Sequence, residues 1–172
     1  MLQGWVVPIG HFLVGATSVV LCMAALHDVL ARTVPNWMPI MLAGLGVAKS
    51  ALDDRLIMSL VIGALMFILS GLCWRRGWLG GGDVKLLAAA SVVVPPLAVP
   101  PFVAAVALAG GVLALIYLAL CRFIPRSVLR RSTGRPNGLL PRALRLERWR
   151  LSRRGPLPYA IAIAAGGLLV LL

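Results

Sequence analysis

The sequence predicts an all-α integral membrane protein of about six transmembrane helices with both termini outside. Three observations predict it. Apolar residues make up 60% of the 172 residues, and mean hydropathy is +0.96. The apolar residues fall into six stretches divided by short breaks rich in proline, glycine and charge. The basic residues gather on alternate breaks. So few polar side chains cannot cover a water-soluble core.

The net charge of +12 raises a nucleic-acid partner. Its concentration in one loop between apolar stretches argues instead for no nucleic acid and for contact with anionic membrane lipid. Cys22, Cys73 and Cys121 lie within or at the ends of apolar stretches and form no C-x-x-C pair. No disulfide framework or cysteine zinc site therefore organises the chain.

The first stretch, about Val6 to Leu26, is long enough to cross a hydrocarbon core of about 30 Å. No basic residue precedes it, so it reads as a span rather than a secretion signal. Val34-Pro35 marks the start of the second helix, which Thr33 or Asn36 could cap, with Trp37 suited to the membrane interface. That second span, about Trp37 to Leu52, is short and is expected to be interrupted by Pro39 near its start, with Lys49 able to snorkel at its far end. Asp53-Asp54-Arg55 reads as a solvated turn. The third span runs from about Leu56 to Trp74 and the fourth from about Val84 to Val99. Pro95-Pro96 and Pro100-Pro101 end the fourth and begin the fifth, about Pro101 to Cys121.

Between Arg122 and Arg154 the chain holds eleven arginines and one acidic residue, Glu147. Leu140, Leu144 and Leu151 recur there at helical spacing, as in an amphipathic surface helix. The last span, about Leu157 to Leu172, opens with Tyr159 at the interface.

Arg32, Arg75, Arg76, Lys85 and the eleven loop arginines, fifteen of the 17 basic residues, fall on one side of this arrangement. The other side has Lys49 and Arg55. Cytoplasmic loops carry the excess of lysine and arginine, so the fifteen mark the cytoplasmic face. Asp28 and Asp83 then both sit at that face.

Gly80-Gly81-Gly82-Asp83 leads straight into the fourth span. Glycines let a second backbone approach closely, and an aspartate at the mouth of a membrane helix is a functional candidate. The plainer reading is an interhelical turn whose aspartate caps the next helix. Asp28 adds a second carboxyl at the same depth. Like charges a few ångströms apart do not both ionise readily, so the pair shares a proton and suits aspartyl hydrolysis. Competing machinery is missing. There is no H-E-x-x-H, the two histidines His11 and His27 stand apart, and Lys85 and Ser91 do not share a helix face. No metal and no cofactor are expected.

Asp28 followed by Arg32-Thr33-Val34-Pro35-Asn36, then Gly80-Gly81-Gly82-Asp83-Val84-Lys85-Leu86, then Leu157-Pro158-Tyr159, resembles the type IV prepilin peptidases, a family of G-x-G-D aspartyl proteases. The resemblance covers nearly the whole chain. It implies removal of a short basic leader from prepilin or pseudopilin substrates at the cytoplasmic face of the bacterial inner membrane. The catalytic aspartates carry over to Asp28 and Asp83 and the motif glycines to Gly80 and Gly82. Lys85, Pro35 and Asn36 fall within the matching motifs as substrate-binding or supporting positions.

Larger members resemble fusions with an N-methyltransferase region bearing paired C-x-x-C motifs, which this sequence does not contain. The chain is thus expected to be a single membrane peptidase domain over 1–172 with a basic cytoplasmic loop at about 122–154, similar to the short form of tight-adherence or Flp-type pilus systems. The alternative is a non-catalytic assembly or proton-coupled transport component using the same two aspartates.

Overall fold

The computed structural model describes residues 3–123 and 159–171. The arginine-rich segment beyond Phe123, with its expected amphipathic helix, lies outside the described residues. Those described are helical, with no strand: α1 (Gln3–Ala31), α2 (Trp37–Leu52), α3 (Leu56–Arg75), α4 (Gly81–Val93), a 3-10 turn (Pro96–Ala98), α5 (Val99–Phe123) and α6 (Tyr159–Leu171). Three helical segments, Val7–Ala31, Leu56–Arg75 and Pro96–Leu120, are long and apolar enough to cross a membrane. Trp37–Leu52 and Tyr159–Leu171 are shorter apolar helices.

The shortest helices are the best buried. Every residue of α4 from Leu86 to Val93 is buried, as are most of the first nine residues of α6. Helix α4 packs on α2, α3 and α6, while α6 packs on α1 and α5. Small residues permit this closeness, because apolar surface gains little by leaving lipid and close packing must hold the helices together. At Gly46 an added Cβ would come within 3.0 Å of the Val93 backbone nitrogen, and at Gly166 within 2.8 Å of that of Val106. The long helices turn large apolar side chains such as Phe12, Ile68 and Leu115 outward.

Several boundaries differ from expectation. Helix α1 runs on to Ala31, so Asp28 lies inside its last turn rather than beyond its end. Arg32 stops it in a left-handed conformation (φ 55°), its amide bonded to the Asp28 carbonyl at 2.8 Å. Asn36 takes the cap position of α2, but its side chain makes no capping bond. Pro39 sits in the first turn, where a missing N–H costs nothing, and does not interrupt the helix.

Helix α4 stops at Val93, well short of Val99. Val94 precedes a proline and is extended (ψ 136°), as the clash with a proline ring demands. The turn Asp53-Asp54-Arg55 is more than solvated. Arg55 donates to the carbonyls of Val94 at 3.0 Å and Val93 at 3.1 Å, satisfying the end of α4 from the start of α3.

Candidate active site

Asp28 is buried in the last turn of α1. Its Oδ2 accepts a hydrogen bond from the backbone N–H of Ala160 at 3.3 Å. That amide belongs to the first turn of α6, where unpaired N–H groups and the helix dipole favour a negative charge. One carboxyl oxygen thus ties the first helix to the last.

Asp83 is the third residue of α4 and is half-buried. Its carboxyl accepts a hydrogen bond from the Gly80 amide, closing the helix start on itself. Both the Asp28 carboxyl and the Arg32 guanidinium lie within electrostatic reach of it. The two candidate aspartates, 55 positions apart in sequence, are therefore brought to one end of the bundle, within electrostatic reach of each other.

The glycines make room for this arrangement. A Cβ on Gly80 would stand 2.8 Å from Asp83 Oδ2, so a side chain there would push the carboxyl aside. A Cβ on Gly82 would meet Val34 Cβ at 3.1 Å, where the α1–α2 connection lies against α4. Two residues along, Lys85 donates from Nζ to Asn36 Oδ1 at 2.9 Å. Asn36 serves α4 rather than its own helix. The Pro35 carbonyl accepts the Met38 amide at 3.1 Å, closing the first turn of α2. Asp28, Pro35, Asn36, Gly80, Gly82, Asp83 and Lys85 are thus brought to the same end.

Other residues of this region were not singled out from sequence as parts of the site. Arg32 donates from Nη2 to the hydroxyl of Tyr117 on α5 at 3.2 Å, binding the end of α1 to a fourth element. A lone tyrosine in an apolar span was the available signal, since buried hydroxyls seek partners. Ala160 acts through its backbone, which no residue type announces. Tyr159 packs its hydroxyl end over Gly110 of α5.

His27 is not part of the pair. Its Nδ1 lies 2.6 Å from the Thr33 carbonyl, to which it can only donate. Asp53 and Asp54 lie at the opposite end of the bundle, where Arg55 of the same turn caps the C-terminus of α4.

Two carboxyls, a guanidinium and a helix N-terminus in a partly dry setting can move a proton and polarise a carbonyl. A comparison with known protein families matches residues 15–115 to the type IV leader peptidase family. No curated protein and no solved structure matches the chain.

Proposed function

The chain belongs to the type IV leader peptidase family, and from that membership we propose that it is a membrane aspartyl endopeptidase with Asp28 and Asp83 as its catalytic pair. It removes the short basic leader from prepilin-like proteins at the cytoplasmic face of the bacterial inner membrane. The observation that carries this reading is that the two carboxyls lie within electrostatic reach of each other beside the glycine turn at one end of the bundle. The same end holds Arg32, Arg75, Arg76 and Lys85, the cations that mark a cytoplasmic face. The reading includes six spans with both termini outside and a single peptidase domain.

In the reaction one carboxylate takes a proton from water, and the resulting oxygen attacks the scissile carbonyl carbon. The other, protonated, carboxyl donates to the carbonyl oxygen. Collapse of the tetrahedral intermediate breaks the C–N bond, the first carboxyl passing its proton to the leaving amine while the second regains one from the intermediate's hydroxyl. One water is consumed per bond, and no group beyond the pair must change its charge. Gly80 leaves room for the Asp83 carboxyl and Gly82 for Val34 of the α1–α2 connection, so that both stay in place. Lys85 and Asn36 hold the start of α2 to α4 and so fix the floor of the site.

The test is direct. Full-length protein in detergent, mixed with prepilins encoded near its gene, should shorten them by the leader mass. Loss of cleavage is expected in Asp28→Asn and in Asp83→Asn, with Asp53→Asn and Asp54→Asn active. An essential Asp53 or Asp54, or a dispensable Asp28 or Asp83, would sink the proposed pair.

A further inference from the structure

Two apolar grooves run along α4 and meet at Lys85. One, about 500 Å³, opens between α3 and α4, is walled by Phe67, Leu72 and Val84, and has Arg75 at its rim. The other, about 540 Å³, opens between α2 and α3, with Ala88, Ala89 and Val92 of α4 beneath it. Phe67 and Lys85 line both. The grooves exist because α2 and α3 each pack closely on α4 but only lightly on one another. The alanines are too small to fill the gap.

Among the described residues, the charge at the junction is uncompensated. Lys85 is exposed, and its ammonium bonds the neutral amide oxygen of Asn36. Arg75 is exposed as well. Among the described residues no ion pair engages either. Trp74 and Trp78 stand exposed beside them, with Arg76 over the Trp78 ring at 5.4 Å, the kind of aromatic belt found at headgroup level.

Two cations at the mouth of apolar grooves repel a basic leader and attract phosphate. One cationic junction serving two grooves also matches the shape of a molecule with one phosphate and two chains. We propose that a diacyl anionic phospholipid binds here, its phosphate between Lys85 and Arg75 and one acyl chain in each groove. On the function proposed above, the bound phosphate has a further effect. It cancels positive charge two residues from Asp83 and admits the basic leader to the carboxyls.

Lipid binding is measured without cleavage. The full chain in detergent is titrated with dioleoylphosphatidylglycerol or dioleoylphosphatidylcholine, and bound lipid is counted by native mass spectrometry. One phosphatidylglycerol should be retained per chain in preference to phosphatidylcholine. Retention should weaken about fivefold for each cation removed, in Arg75→Gln and Lys85→Gln. Ala88→Leu, which narrows one groove and leaves both cations, should weaken it too, and Arg76→Gln should not. Lys85→Arg keeps the charge and should keep the lipid, which separates lost charge from a lost fold.

Equal retention of the two lipids, undiminished binding in the Arg75→Gln/Lys85→Gln double variant, or displacement by inorganic phosphate alone would overturn the proposal. A chain that processes prepilin but holds no phosphatidylglycerol sinks this inference alone. One that holds the lipid but processes nothing sinks the proposed function alone.

Discussion

The Asp28 carboxyl and the Ala160 amide are bonded at 3.3 Å, joining the last turn of α1 to the first turn of α6 across 132 positions of sequence. This bond lets the part Asp28 plays in the fold be separated from the catalytic role proposed for it. The amide oxygen of asparagine can accept the same N–H but cannot take or give a proton. Asp28→Asn should therefore insert and melt close to wild type while losing at least about a hundredfold in cleavage, the usual size of acid–base assistance. Asp28→Ala should also lose about 1.5–3 kcal/mol of stability. Thermal melts and leader loss read by mass check both. Because a coupled pair titrates as a unit, wild-type activity should be bell-shaped in pH, its limbs belonging to the pair.

The three glycines before Asp83 should respond differently to alanine. In Gly80→Ala the new Cβ falls 2.8 Å from Asp83 Oδ2, and kcat should drop with little change in melting. In Gly82→Ala the clash is with Val34 at 3.1 Å, so the α1–α2 connection shifts and stability falls by about 1–3 kcal/mol. Gly81→Ala meets nothing nearer than Trp74 Nε1 at 3.5 Å and should behave as wild type. Equal effects at all three would show that the turn needs flexibility rather than space.

At the far end, Arg55→Gln should destabilise without touching catalysis. It leaves the carbonyls of Val93 and Val94 short of donors, at about 1–3 kcal/mol for an unsatisfied group. Melting temperature should fall while activity per folded molecule holds.

Asp53 bonds the same arginine. Burial pushes its carboxyl up, but hydrogen bonds and charge from Arg55 and Lys49 outweigh this and hold it below the ordinary carboxylate range. Its contribution is full above the ordinary value of about 4 and is lost only as pH falls through the lower folded value. The side chain is 34% exposed, so Asp53→Asn should cost under about 1 kcal/mol. Melting as a function of pH tests the sign.

Single cysteines test the orientation. With the native cysteines replaced by serine, Trp78→Cys should label from the cytoplasmic side and Asp54→Cys from the outside, since both positions are exposed at opposite ends of the bundle. Labelling of both from one side would break the proposed six-span path.

Much of this was legible in the sequence because it is written in local terms. Apolar stretches bounded by turn residues marked α2 to the residue, Trp37–Leu52. The two aspartates stood out because charge is rare in apolar surroundings, and the glycines because three of them run together directly before one of the aspartates. What escaped depends on packing between distant elements. Asn36 reads as a cap by residue type, yet Lys85, 49 positions on, claims its oxygen. Arg55 reads as a solvated charge, yet it serves carbonyls 38 and 39 positions away. No local pattern foretells the left-handed Arg32, because arginine rarely adopts that backbone.

Helix α4, at 13 residues, rises about 20 Å, against about 30 Å of hydrocarbon. Where the shortfall falls decides how the site meets water. Gly63 of α3 faces Val92 and Trp74 faces Gly81, so the two helices run antiparallel in constant register. Continued to its end, that register leaves Val93 opposite Ile62, with Arg55 about 10 Å further on. On the six-span path proposed above, the hydrophobic mismatch is thus confined to the side away from the carboxyls, where the long arginine side chain reaches back to meet it. The working end stays level with its neighbours, and residues inserted after Val94 would lengthen α4 outward while leaving Asp28 and Asp83 where they are.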